Sequence, residues 1–183
     1  GLPLNAGVSV GGKGGSGARG GNVTIKNSAN ITTGYNQLID EKAYGNESTA
    51  IFAQSVGGDG GVGGNVINAQ VNLGVSKSIN LGVNIGGEGG SASSAGIVDV
   101  NNSGVLTTYR NHSPGIEAKS VGGTGGAGGQ IIDIGVAGSK TGWTINAGTN
   151  VGGTGSTGAD ASTVIVNNSG HITTGTVAGA SNK

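Results

Sequence analysis

The chain has 183 residues, of which 43 are glycine, and only 10% are charged and 3% aromatic. Nine basic and nine acidic residues cancel, which argues against a nucleic-acid partner, since binding one needs a basic face to displace counterions. No apolar run approaches the roughly 20 residues that span a membrane, and the lack of cysteine excludes disulfides and thiolate metal sites.

The aromatic residues are too few to fill a wide core, so a narrow one lined by Val, Ile, Leu, Ala and Ser is expected. Balanced charge and recurring alternating runs of Val, Ile and Thr argue against disorder, despite the glycine content. A chain of this size without methionine reads as part of a longer protein.

In chain order, a Val/Ile-Gly-Gly step opens a glycine-rich loop at Val10, Val56, Ile85, Val121 and Val151. Eighteen residues after the steps at Val10, Ile85 and Val151 comes the serine of an Asn-Ser segment, at Ser28, Ser103 and Ser169. Each segment runs on into an apolar-Thr-Thr triplet, as in Asn102-Ser103-Gly104-Val105-Leu106-Thr107-Thr108. A second element, Ile-x-Ala-x-Ser-Val-Gly-Gly, begins at Ile51 and again at Ile116, 65 residues later. Low-complexity sequence does not keep such register. Residues 1–26 therefore read as the end of one repeat unit, 27–101 as a full unit with a ten-residue insertion at 37–46, 102–167 as a second unit, and 168–183 as the start of a third.

If every glycine step marks one corner, each unit holds two coils of roughly 30 residues, each with three short strands, as in a parallel β-helix. Alternation then places Ile51, Ala53, Ser55, Ile116, Ala118 and Ser120 inward. Val98, Val100, Val164 and Val166 are also expected to be buried, with Asn27, Asn102 and Asn168 on the same face, their amides satisfied by stacking or by corner backbone groups. The loops containing Gly57, Gly58, Gly60, Gly61, Gly122, Gly123, Gly125 and Gly126 are expected to stack at one corner, with many residues at positive φ.

Several motifs tempt and fail. Gly12-Lys13-Gly14-Gly15-Ser16-Gly17 matches a dinucleotide fingerprint only because glycine is so common, and no helix follows it. The run from Gly7 to Gly14 mimics a phosphate loop but has Gly14 where Ser or Thr must hold magnesium. Asp59 is a lone acid in its loop, whereas calcium takes six to eight oxygens. His112 and His171 have no paired acid in the repeat, and the carboxylates are scattered rather than clustered as glycan cleavage requires. No catalytic residue, metal or cofactor is therefore expected. The insertion holds the candidate partner-contact residues Asp40, Glu41, Lys42 and Tyr44, with a tolerated solvent loop as the plainer reading.

Together, Asn-Ser-Gly-x-Ile/Leu-Thr-Thr, Gly-Ile-x-Ala-x-Ser-Val-Gly-Gly and the loop Gly-Gly-x-Gly-Gly-x-Gly-Gly resemble repeats of bacterial autotransporter passenger domains, most of all the large glycine-rich adhesin-like members. The resemblance spans about Asn5 to Thr174. It implies an all-β, right-handed parallel β-helix of about five to six coils, displayed on the bacterial cell surface or secreted and carried through the outer membrane by a C-terminal β-barrel. The function expected is a non-enzymatic stalk promoting adhesion or self-association. Its partners would be further coils of the same chain, other copies, or a host-cell, matrix or glycan surface, with no membrane insertion of this segment. The rivals are a glycan-active β-helix enzyme and a phage-fibre or ice-binding solenoid.

Overall fold

The structure is a computed structural model that describes residues 4–34, 47–72, 77–137 and 142–176. These residues form β-strands and extended glycine segments with no helix. The strands are β1 (Leu4–Val10), β2 (Val23–Asn27), β3 (Ile31–Thr33), β4 (Ile51–Val56), β5 (Val66–Asn72), β6 (Ser78–Ile85), β7 (Val98–Asn102), β8 (Leu106–Tyr109), β9 (Ile116–Val121), β10 (Ile131–Ala137), β11 (Thr144–Val151), β12 (Val164–Asn168) and β13 (Ile172–Thr176). All pairing is parallel, in the sheets β1-β6-β11, β5-β10, β2-β7-β12, β3-β8-β13 and β4-β9.

Paired residues lie one whole repeat apart: Val23 with Val98, Ile51 with Ile116, Ile79 with Ile145. The expected coil of roughly 30 residues is therefore replaced by one layer per repeat of about 65. The register also locates the insertion. Thr33 pairs with Thr108, whereas Ser48 already bonds Ser113, so the extra ten residues fall between Thr33 and Ser48.

The chain divides into two compact units. One comprises 1–19, 57–94 and 122–160; the other comprises 20–56, 95–121 and 161–183. In the first, five glycine segments (11–19, 57–64, 86–94, 122–129 and 152–160) pack backbone to backbone. Their contacts repeat every third residue, the period of a polyproline II helix. In the triplet Thr124-Gly125-Gly126, Thr124 is exposed. A Cβ on Gly125 would lie 1.9 Å from Ser156 O in the following segment, and one on Gly126 would lie 1.9 Å from Gly61 O in an earlier one. Only glycine fits at either position.

The same triplet rule sets the hydrogen bonds. Gly61 N–H donates to Gly15 O, Gly90 to Gly61, Gly126 to Gly90 and Ser156 to Gly126, each at 2.7–3.0 Å. Successive segments run antiparallel, since Gly58, Gly61 and Gly64 bond Ala18, Gly15 and Gly12 in that order. Segments 57–64 and 122–129 are parallel neighbours, with Gly60 and Gly63 donating to Thr124 O and Ala127 O. The expectation of many positive φ values in these loops is corrected here. Among the described glycines only Gly34 and Gly175 have positive φ, at 70° and 72°. Close approach, not left-handed backbone, is what demands glycine.

The second unit buries side chains instead. Val98, Val100 and Leu106, in the middle layer, are wholly buried, with Ile51 and Ala53 beside them. β4 packs against both β2 and β7, and β9 against both β7 and β12. Ile116 and Ala118 are half-buried, and Val164 and Val166 are exposed at 40% and 45%. The expectation that these last two are buried fails because β12 is an edge strand with no described layer above it.

The inward serines explain their recurrence. Ser55 Oγ donates to Gly21 O and accepts from Gly96 N, and Ser120 Oγ donates to Gly96 O and accepts from Ser162 N. Each hydroxyl thus ties together two successive layers, Gly21 with Gly96 and Gly96 with Ser162. The inward asparagines stack as expected: Asn27 Nδ2 donates to Asn102 Oδ1, and Asn102 Nδ2 to Asn168 Oδ1 and Gly104 O.

These contacts fix the outcome of three substitutions, read by chemical denaturation. Leu106→Ala should cost about 2–5 kcal/mol. Gly126→Val should abolish the cooperative transition of the glycine unit, whereas Ala127→Val, at an exposed triplet position, should stay within about 0.5 kcal/mol.

Candidate functional site

The usual amphipathic order of a half-buried sheet is inverted in β1-β6-β11. Its inward side chains are polar, and they are held in ladders. Asn5 Nδ2 donates to Asn80 Oδ1, Asn80 Nδ2 to Asn146 Oδ1 and Asn84 Nδ2 to Asn150 Oδ1, at 3.0, 2.7 and 2.9 Å. Ser78, Asn80 and Asn84 are buried on the central strand. Stacked amides satisfy each other layer by layer, so a polar interior carries little penalty here.

The apolar set faces outward. In register across the sheet stand Leu4, Ile79 and Ile145, then Ala6, Leu81 and Ala147, then Val8, Val83 and Thr149, then Val10, Ile85 and Val151. Eleven of these twelve are apolar, none is charged, and even on the central strand Leu81 and Val83 are 43% and 40% exposed. A shallow groove of about 420 Å³ crosses this face between the rows of Ala6, Leu81 and Ala147 and of Val8, Val83 and Thr149. From strand spacing and rise the footprint is roughly 300 Å². The β5-β10 sheet likewise exposes Ile67, Ile132 and Ile134. A footprint of this size matches the largest apolar patch of a typical monomer, and such patches often carry function.

Two polar depressions offer less chemistry. A groove of about 540 Å³ follows the Asn-Ser turns at Asn27, Asn102 and Asn168, where the amides already bond one another. A cleft of about 390 Å³ contains one carboxylate, Asp133, at 3.5 Å from Asn84 Nδ2. Among the described residues no three His, Cys, Asp or Glu side chains converge on a metal-sized site. His112 sits in a turn at φ 54°, matching Glu47 at φ 61° one repeat earlier. No described helix is long and apolar enough to cross a membrane.

Of the residues expected to matter, Asp40, Glu41, Lys42 and Tyr44 lie outside the described residues. Gly57, Gly58, Gly60, Gly61, Gly122, Gly123, Gly125 and Gly126 all lie inside the glycine bundle, each against another backbone. The outward apolar sheet face was missed from sequence. Its signal is the run Ile79-Asn80-Leu81-Gly82-Val83-Asn84-Ile85, whose strict alternation marks a strand, while its asparagines match Asn5, Asn146 and Asn150 in the neighbouring copies.

No protein-family model, curated protein or solved structure matches the chain.

Among the described residues, the exposed Asp59 has a displaced titration. Asp59 Oδ1 accepts hydrogen bonds from Thr124 N and Thr124 Oγ1, at 2.6 and 2.8 Å, and these hold its carboxyl below the usual aspartate range. A depressed folded-state value adds stability above the unfolded-state pKa and withdraws it as pH falls through the folded one. Asp59→Asn should therefore flatten the fall in melting temperature on acidification from about pH 5 to about pH 2, as followed by circular dichroism.

Proposed function

We propose that this chain is a structural stalk segment of a surface-displayed or secreted bacterial protein, and that it promotes adhesion or self-association through its apolar sheet faces. The observation carrying this reading is the outward face of β1-β6-β11, whose apolar residues repeat in register from layer to layer. Each added repeat would lengthen the face by one strand, about 4.8 Å, without changing its chemistry. A stalk built this way gains avidity by length alone, because every layer presents the same contact. The right-handed winding implied by the autotransporter resemblance belongs to this reading, as does a non-catalytic role.

The partner chemistry follows from the face. It has no charge and, Thr149 apart, its polar side chains are turned inward, so it suits an apolar surface: a facing sheet of another molecule or a hydrophobic patch on a cell or matrix. The test is Leu81→Lys with Val83→Lys, both at solvent-exposed positions where folding should survive. Retention on an octyl-coated surface, and adhesion of cells displaying the chain, should fall at least tenfold, equivalent to about 1.4 kcal/mol. A folded double variant that adheres as well as the parent would remove the apolar face from the function.

A further inference from the structure

The groove along the Asn-Ser turns runs through all three layers of the second unit, at the ends of β2, β7 and β12. Its volume of about 540 Å³ lies within the range of sites that hold small ligands. Asn27, Asn102 and Asn168 lie along its middle, with their side chains turned inward and bonded to one another. The residues on either side of them point the other way and make the walls. One wall is the row Lys26, Asn101 and Asn167, in register across the sheet. The other is the row Ser28, Ser103 and Ser169, kept in step by bonds from Ser103 N to Asn27 O and from Ser169 N to Asn102 O. Asn101 is half-buried and the other five are exposed.

These walls keep hydrogen-bonding capacity that the fold does not use. Asn101 Nδ2 donates to Asp99 Oδ1 at 2.9 Å, and Asn101 Oδ1 accepts from Asn167 Nδ2 at 3.0 Å. An amide has two donor hydrogens and two acceptor lone pairs, so both side chains retain donors and acceptors for a ligand. The hydroxyls of Ser103 and Ser169 reach the carbonyls of Asn27 and Asn102 only at 3.4 Å, and their lone pairs stay open.

The spacing selects among ligands. Each layer adds one member to each wall, about 4.8 Å from the last. An extended peptide advances only about 3.3 Å per residue and falls out of step after one layer. Nucleic acid needs a basic face, whereas Lys26 is the one charged residue among those lining the groove. An acyl chain would bury the amides without bonding them, which is unfavourable. A straight chain of β-1,4-linked pyranose rings advances by close to one layer per ring and carries hydroxyls along both edges.

We propose that this groove binds a neutral β-1,4-linked polysaccharide, laid across the strands with one ring per layer. Asn101 and Asn167 bond the hydroxyls along one edge of the chain, and Ser103 and Ser169 bond those along the other. No aromatic ring lines the groove, so a short stretch binds weakly and affinity grows with the number of layers engaged. This deepens the adhesion half of the stalk reading and rests on it, but it uses neither apolar sheet face.

The probe is cellotetraose, titrated into the isotope-labelled chain and followed by nuclear magnetic resonance. It should shift the amide signals of Asn101, Asn102, Ser103 and Asn167, with the same apparent affinity at low and high salt. Maltotetraose, in which α-1,4 links make the same sugars curl, should leave those signals in place. Asn101→Ala, in the middle layer, should weaken the cellotetraose titration about fivefold, the worth of one hydrogen bond. Leu81→Lys with Val83→Lys should leave it unchanged, so the groove and the apolar face can fail separately. The proposal is overturned if cellotetraose moves no signal there up to its solubility limit, if maltotetraose acts equally, or if folded Asn101→Ala titrates like the parent. Loss of the shifts at high salt would also overturn it, because the ligand would then be held by charge at Lys26. The two parent titrations need no variant, so they decide the matter even where Asn101→Ala fails to fold.

Discussion

Everything in the glycine-rich unit depends on peptide groups meeting peptide groups with no side chain between them. A Cβ at Gly14, Gly61 or Gly126 would fall 2.0, 2.9 or 1.9 Å from a backbone atom of another segment. Ordering glycine costs more backbone entropy than ordering any other residue. The unit offsets that cost with hydrogen bonds at every third residue and with dispersion contacts along the whole length of each segment. One residue in three is left to face water, where Lys13, Ser16, Asp59, Glu88 and Thr124 are found. At that outward position, ion pairs such as Lys13 with Glu88 at 3.1 Å are more than half exposed and add little.

The other unit answers the same repeat with an ordinary side-chain core. Its central valines and Leu106 are fully covered only where a layer lies on each side, so stability is expected to rise from the edge strands toward the middle. The two solutions share a device for gaps in the backbone ladder, in which a side chain of one layer accepts the N–H of the next. Asn22, Asn30 and Asn65 do this for Ile97, Val105 and Gln130, as Asp59 does for Thr124. Turn residues rich in Asn are thus read here as lateral connectors between repeats.

Much of this was legible in the sequence. Equal spacing of the Val/Ile-Gly-Gly steps and Asn-Ser segments gave the repeat, and the register pairs Asn102 with both Asn27 and Asn168 as expected. The ten-residue insertion was legible for the same reason. The length of a layer was not, because all five glycine steps were taken as one corner, although those at Val56 and Val121 open segments running against the other three. Sequence alone does not distinguish a loop from an extended segment when both are glycine. The apolar sheet face was hidden for a different reason. Alternation marks two faces of a strand without saying which is inside, and the usual assignment fails where asparagine amides can bond from strand to strand.

A unit whose interior is made of amides has an unusual thermal signature. Heat-capacity change on unfolding is positive for newly wetted apolar surface and negative for wetted peptide groups. The glycine segments bury mostly the latter, so their unfolding should carry an unusually small heat-capacity change. The dome-shaped dependence of stability on temperature then flattens toward a straight line, and the weakening that ordinary cores suffer on cooling is largely absent. Backbone packing of this kind would hold its shape in the cold as firmly as at room temperature.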